Sequence, residues 1–558
     1  MQKVWLEHYP QDVAHEINSR EFESLNELFE KRSKEYASRT AYSNFGVTLT
    51  YHEIDKQSRA FAAFLLHQYK LKKGDRVGVM LPNILQFPIV FFGILRAGLI
   101  AVNINPLYTT SELTHIVKDS GIETIIILSQ FASTVEKALP NLNLKNIVIT
   151  QFGDLFPLLK KTIFHFVLKY IKKSIPAFHI PQAVSFTKAI KTGSRFHFKH
   201  VQVQANDIAL LQYTGGTTGV VKGAILTHHN LLANIAQVAA WIRPVRLSGK
   251  EIFITALPLY HIFSLTANIL TGLYFGACNV LITNPRDIPH FIKTLSSLPF
   301  TVITGVNTLF RALINHPDFK YIDFSHLKIA LGGGMALQTN TALRWEKITG
   351  KPLYEAYGLS EASPGVAIDN LAAPPHHGSV GFPLPSTEIS IRDPEGKPLG
   401  LNEAGELWIR GPQVTCGYWH HPEETKAVLS EDGWLDTGDI ASVNEEGLVH
   451  IVDRKKDIII VSGFNVYPNE VEDVISSHPG VLETGVVGVT SRNGQERVKA
   501  FIVKKDPKLT KAEITHYCRK HLASYKVPKI IEFTEDLPKT QVGKILRRAL
   551  RRNSPKPL

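Results

Sequence analysis

Short apolar runs alternate with longer segments of helical period over residues 20–200, and the alternation resumes at Ile208 and continues past Lys351. No other feature narrows the fold so much. Arg76-Val-Gly-Val-Met80, Thr124-Ile-Ile-Ile-Leu128 and Asn146-Ile-Val-Ile-Thr150 read as buried strands, while 58–69 and 83–95 read as helices. Further strands are expected near 251–256, 279–283, 301–304 and 327–331. Apolar strands separated by helices predict doubly wound parallel sheets and an α/β fold. The pattern then changes. Residues 386–453 place short strands between turn clusters such as Asp393-Pro-Glu-Gly396 and Asn444-Glu-Glu-Gly447, as an antiparallel β-rich segment does. After Lys455 follow a helix, two strands, a helix, a strand and a terminal basic helix. Two of these helices open with capping-box-like pairs, Asn469 with Glu472 and Thr510 with Glu513. Two domains are therefore expected, 1–454 and a small α+β unit, 455–558.

Composition removes several function classes. With 44% hydrophobic and 20% charged residues, the 558-residue chain is ordinary globular protein. Its three cysteines, Cys278, Cys416 and Cys518, form no CxxC pair, so a disulfide framework and a zinc ribbon are both disfavoured and a reducing compartment is expected. The first residues carry no apolar signal-peptide core. The charge-free stretch 252–285 is long enough to span a bilayer, but Pro258, Gly272 and Gly276 interrupt it, so it reads as buried core. A cytoplasmic protein is expected.

Sixty-two Lys and Arg against 50 Asp and Glu leave +12, and residues 455–558, with 20 against 11, hold +9 of it. That region lacks helix-turn-helix, RRM or zinc-finger patterns, so nucleic acid is not expected. A phosphorylated small molecule or an anionic membrane surface fits better. Residues 155–173 form a second basic feature, a helix with Leu159, Ile163, Phe166, Val167 and Tyr170 on one face and Lys161, His165 and Lys172 opposite. Phe164 and Leu168 spoil the separation. This helix is expected to pack its apolar face on the protein's own core, with a membrane interface on the inner face of the cell membrane as the alternative.

The sharpest local signal is Tyr213-Thr-Gly-Gly-Thr-Thr-Gly-Val-Val-Lys222-Gly223, directly after the apolar run 208–211. Thr214, Gly215, Gly216, Thr217, Thr218 and Gly219 offer a bendable backbone rich in N–H and hydroxyl donors, and Lys222 adds a cation. Such a loop suits phosphate oxygens. It is not a Walker A loop, because no Gly-Lys pair is followed by Ser or Thr.

From this loop outward the sequence resembles the adenylate-forming acid–thiol ligases, the AMP-binding enzymes, in wording closest to bacterial long-chain fatty acyl-CoA synthetases. The resemblance runs from Lys3-Val-Trp-Leu6 to Lys544-Ile-Leu-Arg-Arg548. It implies a large N-terminal domain of two doubly wound sheets with a β-rich distorted barrel, and a small mobile C-terminal lid. It implies ATP, coenzyme A and a long-chain fatty acid as substrates, with a medium-chain or aryl acid as the alternative, Mg²⁺ as cofactor, and leaves a homodimer open. By the same resemblance, His261 in Ala256-Leu-Pro-Leu-Tyr-His-Ile-Phe-Ser-Leu265 lines the acyl site. Gly305-Val-Asn-Thr308 and Gly332-Gly333-Gly334-Met335 flank acyl group and adenine. In Tyr354-Glu-Ala-Tyr-Gly-Leu-Ser-Glu361 it puts Tyr357, Gly358 and Ser360 at the nucleotide, with Ser360 where the family commonly has Thr, and makes Glu361, with Thr214, the holder of Mg²⁺. Asp439 and Arg454 are implied at the ribose, Lys456 at the hinge, Gly463 in a loop facing the thiol, and Lys544 as the catalytic lysine. Locally, one or two carboxylates suffice for a cation that keeps its waters. An ammonium between a carboxylate and a phosphate would stabilise their meeting.

Overall fold

The computed structural model describes residues 3–19, 21–172, 174–215, 221–461, 464–490, 496–540 and 543–552. Two large sheets dominate. One has nine strands in the order Phe382–Pro383, Gly365–Ile368, Tyr354–Gly358, Ile329–Gly333, Val302–Gly305, Ile252–Thr255, Cys278–Leu281, Thr40–Asn44 and Val47–Thr50. The middle six pair in parallel, and antiparallel strands close both edges. The other has seven strands, ordered Val184–Ser185, Asn146–Thr150, Thr124–Leu128, Arg76–Met80, Ile100–Asn103, Ile208–Gly215 and Val221–Thr227, antiparallel only at the last pairing. The N-terminal strand Thr40–Asn44 joins the sheet built from residues 252–383, so the two halves are interwoven.

The carboxyl ends of the two sheets meet, and buried amides hold them together. Asn83, at the end of Arg76–Met80, donates to the carbonyls of Thr255 (3.0 Å) and Leu257 (2.9 Å) and accepts from the Leu259 amide (2.8 Å). Gln212 accepts from Asn103 and donates to the Tyr260 carbonyl at 3.1 Å. The helix expected from 83 starts only at Gln86, because Asn83 is used in this seam. The helix expected at 58–69 is longer, Tyr51–His67, with both halves of a Thr50–Glu53 capping box formed. Residues 252–285 contribute two buried strands and short helices. Among the described residues no helix is long and apolar enough to cross a membrane.

Residues 388–454 form a four-stranded antiparallel meander, Glu388–Arg392, Gly405–Arg410, Leu435–Val443 and Val449–Arg454. Beyond it lies the small α+β unit. The hairpin Ile459–Val461 and Phe464–Val466 leads into helix Pro468–Ser476. The sheet Val481–Thr490, Glu496–Lys504 and Ile530–Thr534 carries helices Lys511–His521 and Arg547–Arg552. The Thr510–Glu513 capping box is present. The Asn469–Glu472 pair is not one. That helix starts at Pro468 without a side-chain cap; the Asn469 amide donates to Asp453 (2.7 Å) and Glu472 pairs with Arg547 (2.8 Å). Long-range partners outcompete the local cap here.

The basic helix also departs from expectation. It runs Leu158–Phe166 and continues as a wider turn, Val167–Ile171, and it turns Phe164 and Leu168 inward against the core. Phe164 packs among Phe45, Phe152 and Phe156 at 5.2–5.9 Å between ring centres. The face expected to be inside, including Leu159, Ile163, Phe166 and Tyr170, is exposed. The two residues that blurred the helical wheel are the ones that anchor it.

If the amide seam holds the sheets, Asn83→Ala strands the Leu259 amide and two carbonyls in a dry environment and should cost about 2–3 kcal/mol. Urea unfolding should show an earlier transition than in wild type or in the exposed control Asn143→Ala.

Candidate active site

The strand Ile208–Gly215 ends where the glycine- and threonine-rich loop begins, and Val221–Thr227 receives the chain on its far side. Tyr213 stands opposite Gly223 and Thr214 opposite Lys222, so two stems flank the loop. Gly216, Thr217, Thr218 and Gly219, the heart of the expected phosphate cradle, lie outside the described residues, as does Gly463. Tyr213 does not face open space: its hydroxyl donates to Asp119 at 2.6 Å. Lys222 lies 3.6 Å from Glu424 and over the Tyr418 ring.

Across from this loop the nine-stranded sheet presents its glycines. Gly333 sits at the end of Ile329–Gly333, where a Cβ would press at 3.1 Å on both the Ala356 carbonyl and the Phe263 ring. Gly332 precedes it in the strand, and Gly334 turns away at φ +76°. Gly358 is still more constrained, since a Cβ there would lie 2.1 Å from the Pro364 carbonyl oxygen. Backbones at these strand ends can approach a flat ligand closely. His261 caps the short helix after it, accepting from the Phe263 amide. Burial, then the nearby Lys544 ammonium, hold its imidazole down to about 4, so it is neutral at pH 7.

Tyr357, one residue before the end of the strand Tyr354–Gly358, donates its hydroxyl to Asp439 at 2.6 Å. Asp439 is buried, pairs in register with Arg454 on the neighbouring strand, and lies 3.2 Å from the Arg454 Nε. Ser360 opens the turn that carries Glu361. The Glu361 Oε1 accepts from Tyr418 (2.9 Å) and from Thr214 (3.5 Å), linking this turn to the loop stem. Among the described residues no three His, Cys, Asp or Glu side chains converge as a metal cage. Glu361 and Thr214 are an oxygen-only pair that fits a hard divalent cation whose other ligands are water and phosphate.

Lys544 reaches this site from the small unit. Its segment rests on the large one: Gly543, at φ +84°, packs on Thr308, whose hydroxyl donates to the Gly543 carbonyl at 3.3 Å. A Cβ there would sit 2.4 Å from Thr308 Oγ1, so glycine is required by both conformation and space. Burial, then the Arg454 guanidinium, push the Lys544 ammonium down to about 7, while Asp439 pulls the other way. Lys456, expected at the hinge, follows directly on the meander. Around it Arg547 forms a hub, bonded to Asp453 (3.0 Å) from the last meander strand and to Glu472 (2.8 Å) from the small unit.

The structure thus brings together Thr214, His261, Gly333, Tyr357, Glu361, Asp439, Arg454 and Lys544 from segments more than 300 residues apart. It also supplies residues that the sequence did not mark. Asp119 accepts from Tyr213 and pairs with His421 (3.0 Å), His421 lies 3.4 Å from Glu424, and Glu424 meets Lys222. This chain of contacts joins the two stems of the loop. Tyr418 works from the same segment, whose backbone pairs with Gly223 and Ile225. No local pattern singles out these side chains, because their partners come from four distant segments.

The sequence pattern of the AMP-binding enzymes matches residues 29–419, and that of the AMP-binding enzyme C-terminal domain matches 470–544. The chain belongs to the AMP-binding enzyme family. It is 52% identical over 551 residues to the long-chain-fatty-acid–CoA ligase of Salmonella typhimurium, covering 99% of this chain and 98% of that protein. It is 39% identical to the Bacillus subtilis protein of the same name, covering 98% of each. The crystal structure of the anthranilate CoA ligase AuaEII with anthranoyl-AMP matches with a TM-score of 0.84 at 25% identity, over 96% of this chain and 98% of that one.

Tyr418→Phe removes the stronger hydrogen bond to Glu361. It is expected to weaken calorimetric binding of MgATP about tenfold, the worth of one hydrogen bond to a carboxylate, while thermal unfolding stays close to wild type.

Proposed function

We propose that this enzyme activates long-chain fatty acids in two half-reactions. The fatty carboxylate attacks the α-phosphate of ATP, forming acyl-adenylate and releasing pyrophosphate. The coenzyme A thiolate then attacks the acyl carbonyl, and AMP leaves with the acyl–oxygen bond electrons. The observation that carries this reading is Lys544, lying across the domain junction among Arg454, Asp439 and His261. Carboxylate and phosphate repel as they meet. An ammonium between them stabilises the charge that gathers in the transition state.

The other residues fall into place around that event. Tyr357 and the Gly332–Gly334 segment flank the adenine, and Asp439, already oriented by Tyr357, takes the ribose hydroxyls with Arg454. The loop from Thr214 to Lys222 holds the departing pyrophosphate. Glu361 and Thr214 would hold Mg²⁺, which neutralises phosphate charge when bound. Neutral His261 lines the acyl entrance without adding a second cation. For the second half-reaction the small domain, 455–558, turns about Lys456, withdraws Lys544 and brings the Gly463 loop to the thiol. Its basic surface suits the phosphates of coenzyme A. Long-chain acids partition into bilayers, so the reading includes peripheral work at an anionic membrane.

A coupled AMP-release assay over acids from acetate to oleate tests the assignment. Turnover should require both acid and coenzyme A and be fastest with long chains; a preference for aryl acids would overturn it. Lys544→Ala should slow adenylate formation by about 10²–10³-fold or more while sparing thioester formation from supplied acyl-adenylate. Equal losses in both steps would refute the domain exchange. A pH effect follows from the same group. With its free-enzyme value at about 7, Lys544 is increasingly neutral above that pH, and arriving phosphates raise its affinity for a proton. ATP binding should therefore take up protons and weaken as pH rises. Calorimetry in two buffers of different ionisation heat measures the uptake, which Lys544→Gln should abolish.

A further inference from the structure

We propose that the exposed face of the helical segment 158–172 is a docking surface for anionic phospholipid membranes. This deepens the peripheral-membrane part of the reading above and stands apart from its catalytic part. Among the described residues, fourteen large hydrophobic side chains are exposed, and six of them lie on this one segment: Leu158, Leu159, Ile163, Phe166, Tyr170 and Ile171. Leu158 and Leu159 are 80% and 76% exposed. Apolar patches of this concentration mark interaction sites on folded proteins.

The patch is not an unfinished core. The opposite side of the segment is already anchored by Phe164 and Leu168, by Lys161 on Asp154 (3.0 Å), and by Lys160, which donates to the Phe45 carbonyl. What remains outward is a second apolar stripe with its own cations. Lys169 and Lys172 are exposed beside it. From residue 155 to residue 206 the sequence contains nine Lys and Arg and no Asp or Glu. A fifty-residue stretch of sequence without a single carboxylate has no acid of its own to neutralise that charge. Apolar side chains flanked by lysines fit a layer of anionic headgroups over acyl chains, where each lysine near the surface adds attraction. Fourteen or so residues of helix extend about 20 Å, which suits lying in the interface plane and not crossing it.

The test is co-sedimentation of the full-length protein with vesicles of phosphatidylcholine alone or mixed with phosphatidylglycerol. Wild type should bind the mixed vesicles, bind the neutral ones far more weakly, and release with salt. Leu159→Ser/Ile163→Ser/Phe166→Ser should lose at least about tenfold in partitioning. Lys169→Gln/Lys172→Gln should lose the anionic preference and the salt dependence. Tyr321→Ser, an exposed aromatic elsewhere, should behave as wild type. All variants should melt as wild type does and retain acyl-CoA formation from detergent-solubilised acid, so a catalytic failure is read separately. The proposal is overturned if wild type ignores both vesicle types or if the segment variants bind as wild type does. It is also overturned if sedimentation velocity shows a dimer that the triple serine variant dissociates, which would make this face a contact between copies.

Discussion

Parallel sheets leave a row of polar backbone ends where their strands stop, and two such rows facing each other cannot stay dry unless something satisfies them. In this protein two buried amide side chains, Asn83 and Gln212, perform that task. Each contacts the segment 255–260 from the seven-stranded sheet. An amide is suited to this because it both donates and accepts in one plane. Once the seam is closed by such short side chains, the strand ends must come close. The segments that follow therefore run past one another with little room. Glycine at 333 and 358 and the neutral imidazole of His261 are consequences of that proximity as much as of any ligand.

The same closeness sets the electrostatics. Arg454, Asp439, Lys544 and Arg547 converge where the last meander strand passes into the small unit. Two of these cations are paired with carboxylates, Arg547 with Asp453 and Glu472 and Arg454 with Asp439. Lys544 has the least compensation, and it is the one pushed down to about 7. A lysine held in that condition is a site waiting for negative charge. The clamp around Arg547 matters here because it grips both sides of Lys456. If the small unit turns at that residue as proposed, the Arg547–Asp453 bond has to be exchanged for another partner.

Much of the fold could be read directly, because buried parallel strands are nearly continuous apolar runs: 76–80, 124–128 and 146–150 end where the residues say they do. The positions of Thr214, Glu361, Asp439, Arg454 and Lys544 were legible only as motifs, and a motif does not say which side chains meet. That is why Asp119, Tyr418 and His421 went unseen, since each acts on a partner from a distant element. Asn469 shows the opposite error. Its spacing to Glu472 is locally persuasive, yet the side chains of both residues accept from Arg547 and the Asn469 backbone amide donates to Asp453. The basic helix was misjudged for a related reason. Helical period tells which residues share a face and is silent on which of two apolar faces the core will take.

Charge, too, means different things in different places. In the basic small unit many cations stand beside carboxylates. Lys455 meets Glu406, Lys526 meets Glu470, Lys539 meets Glu483 and Asp536, and Arg551 meets Asp457. Those cations spend their field on holding the unit together and on its junction with the large domain. The segment 155–206 has no acids of its own with which to do the same, and the neighbouring Asp154 is taken by Lys161. By net charge the two regions are equal at +9, but the segment 155–206 carries it over half the length. The difference lies in density and context: the segment has no acid of its own, and its charge stands beside an apolar face that is turned outward.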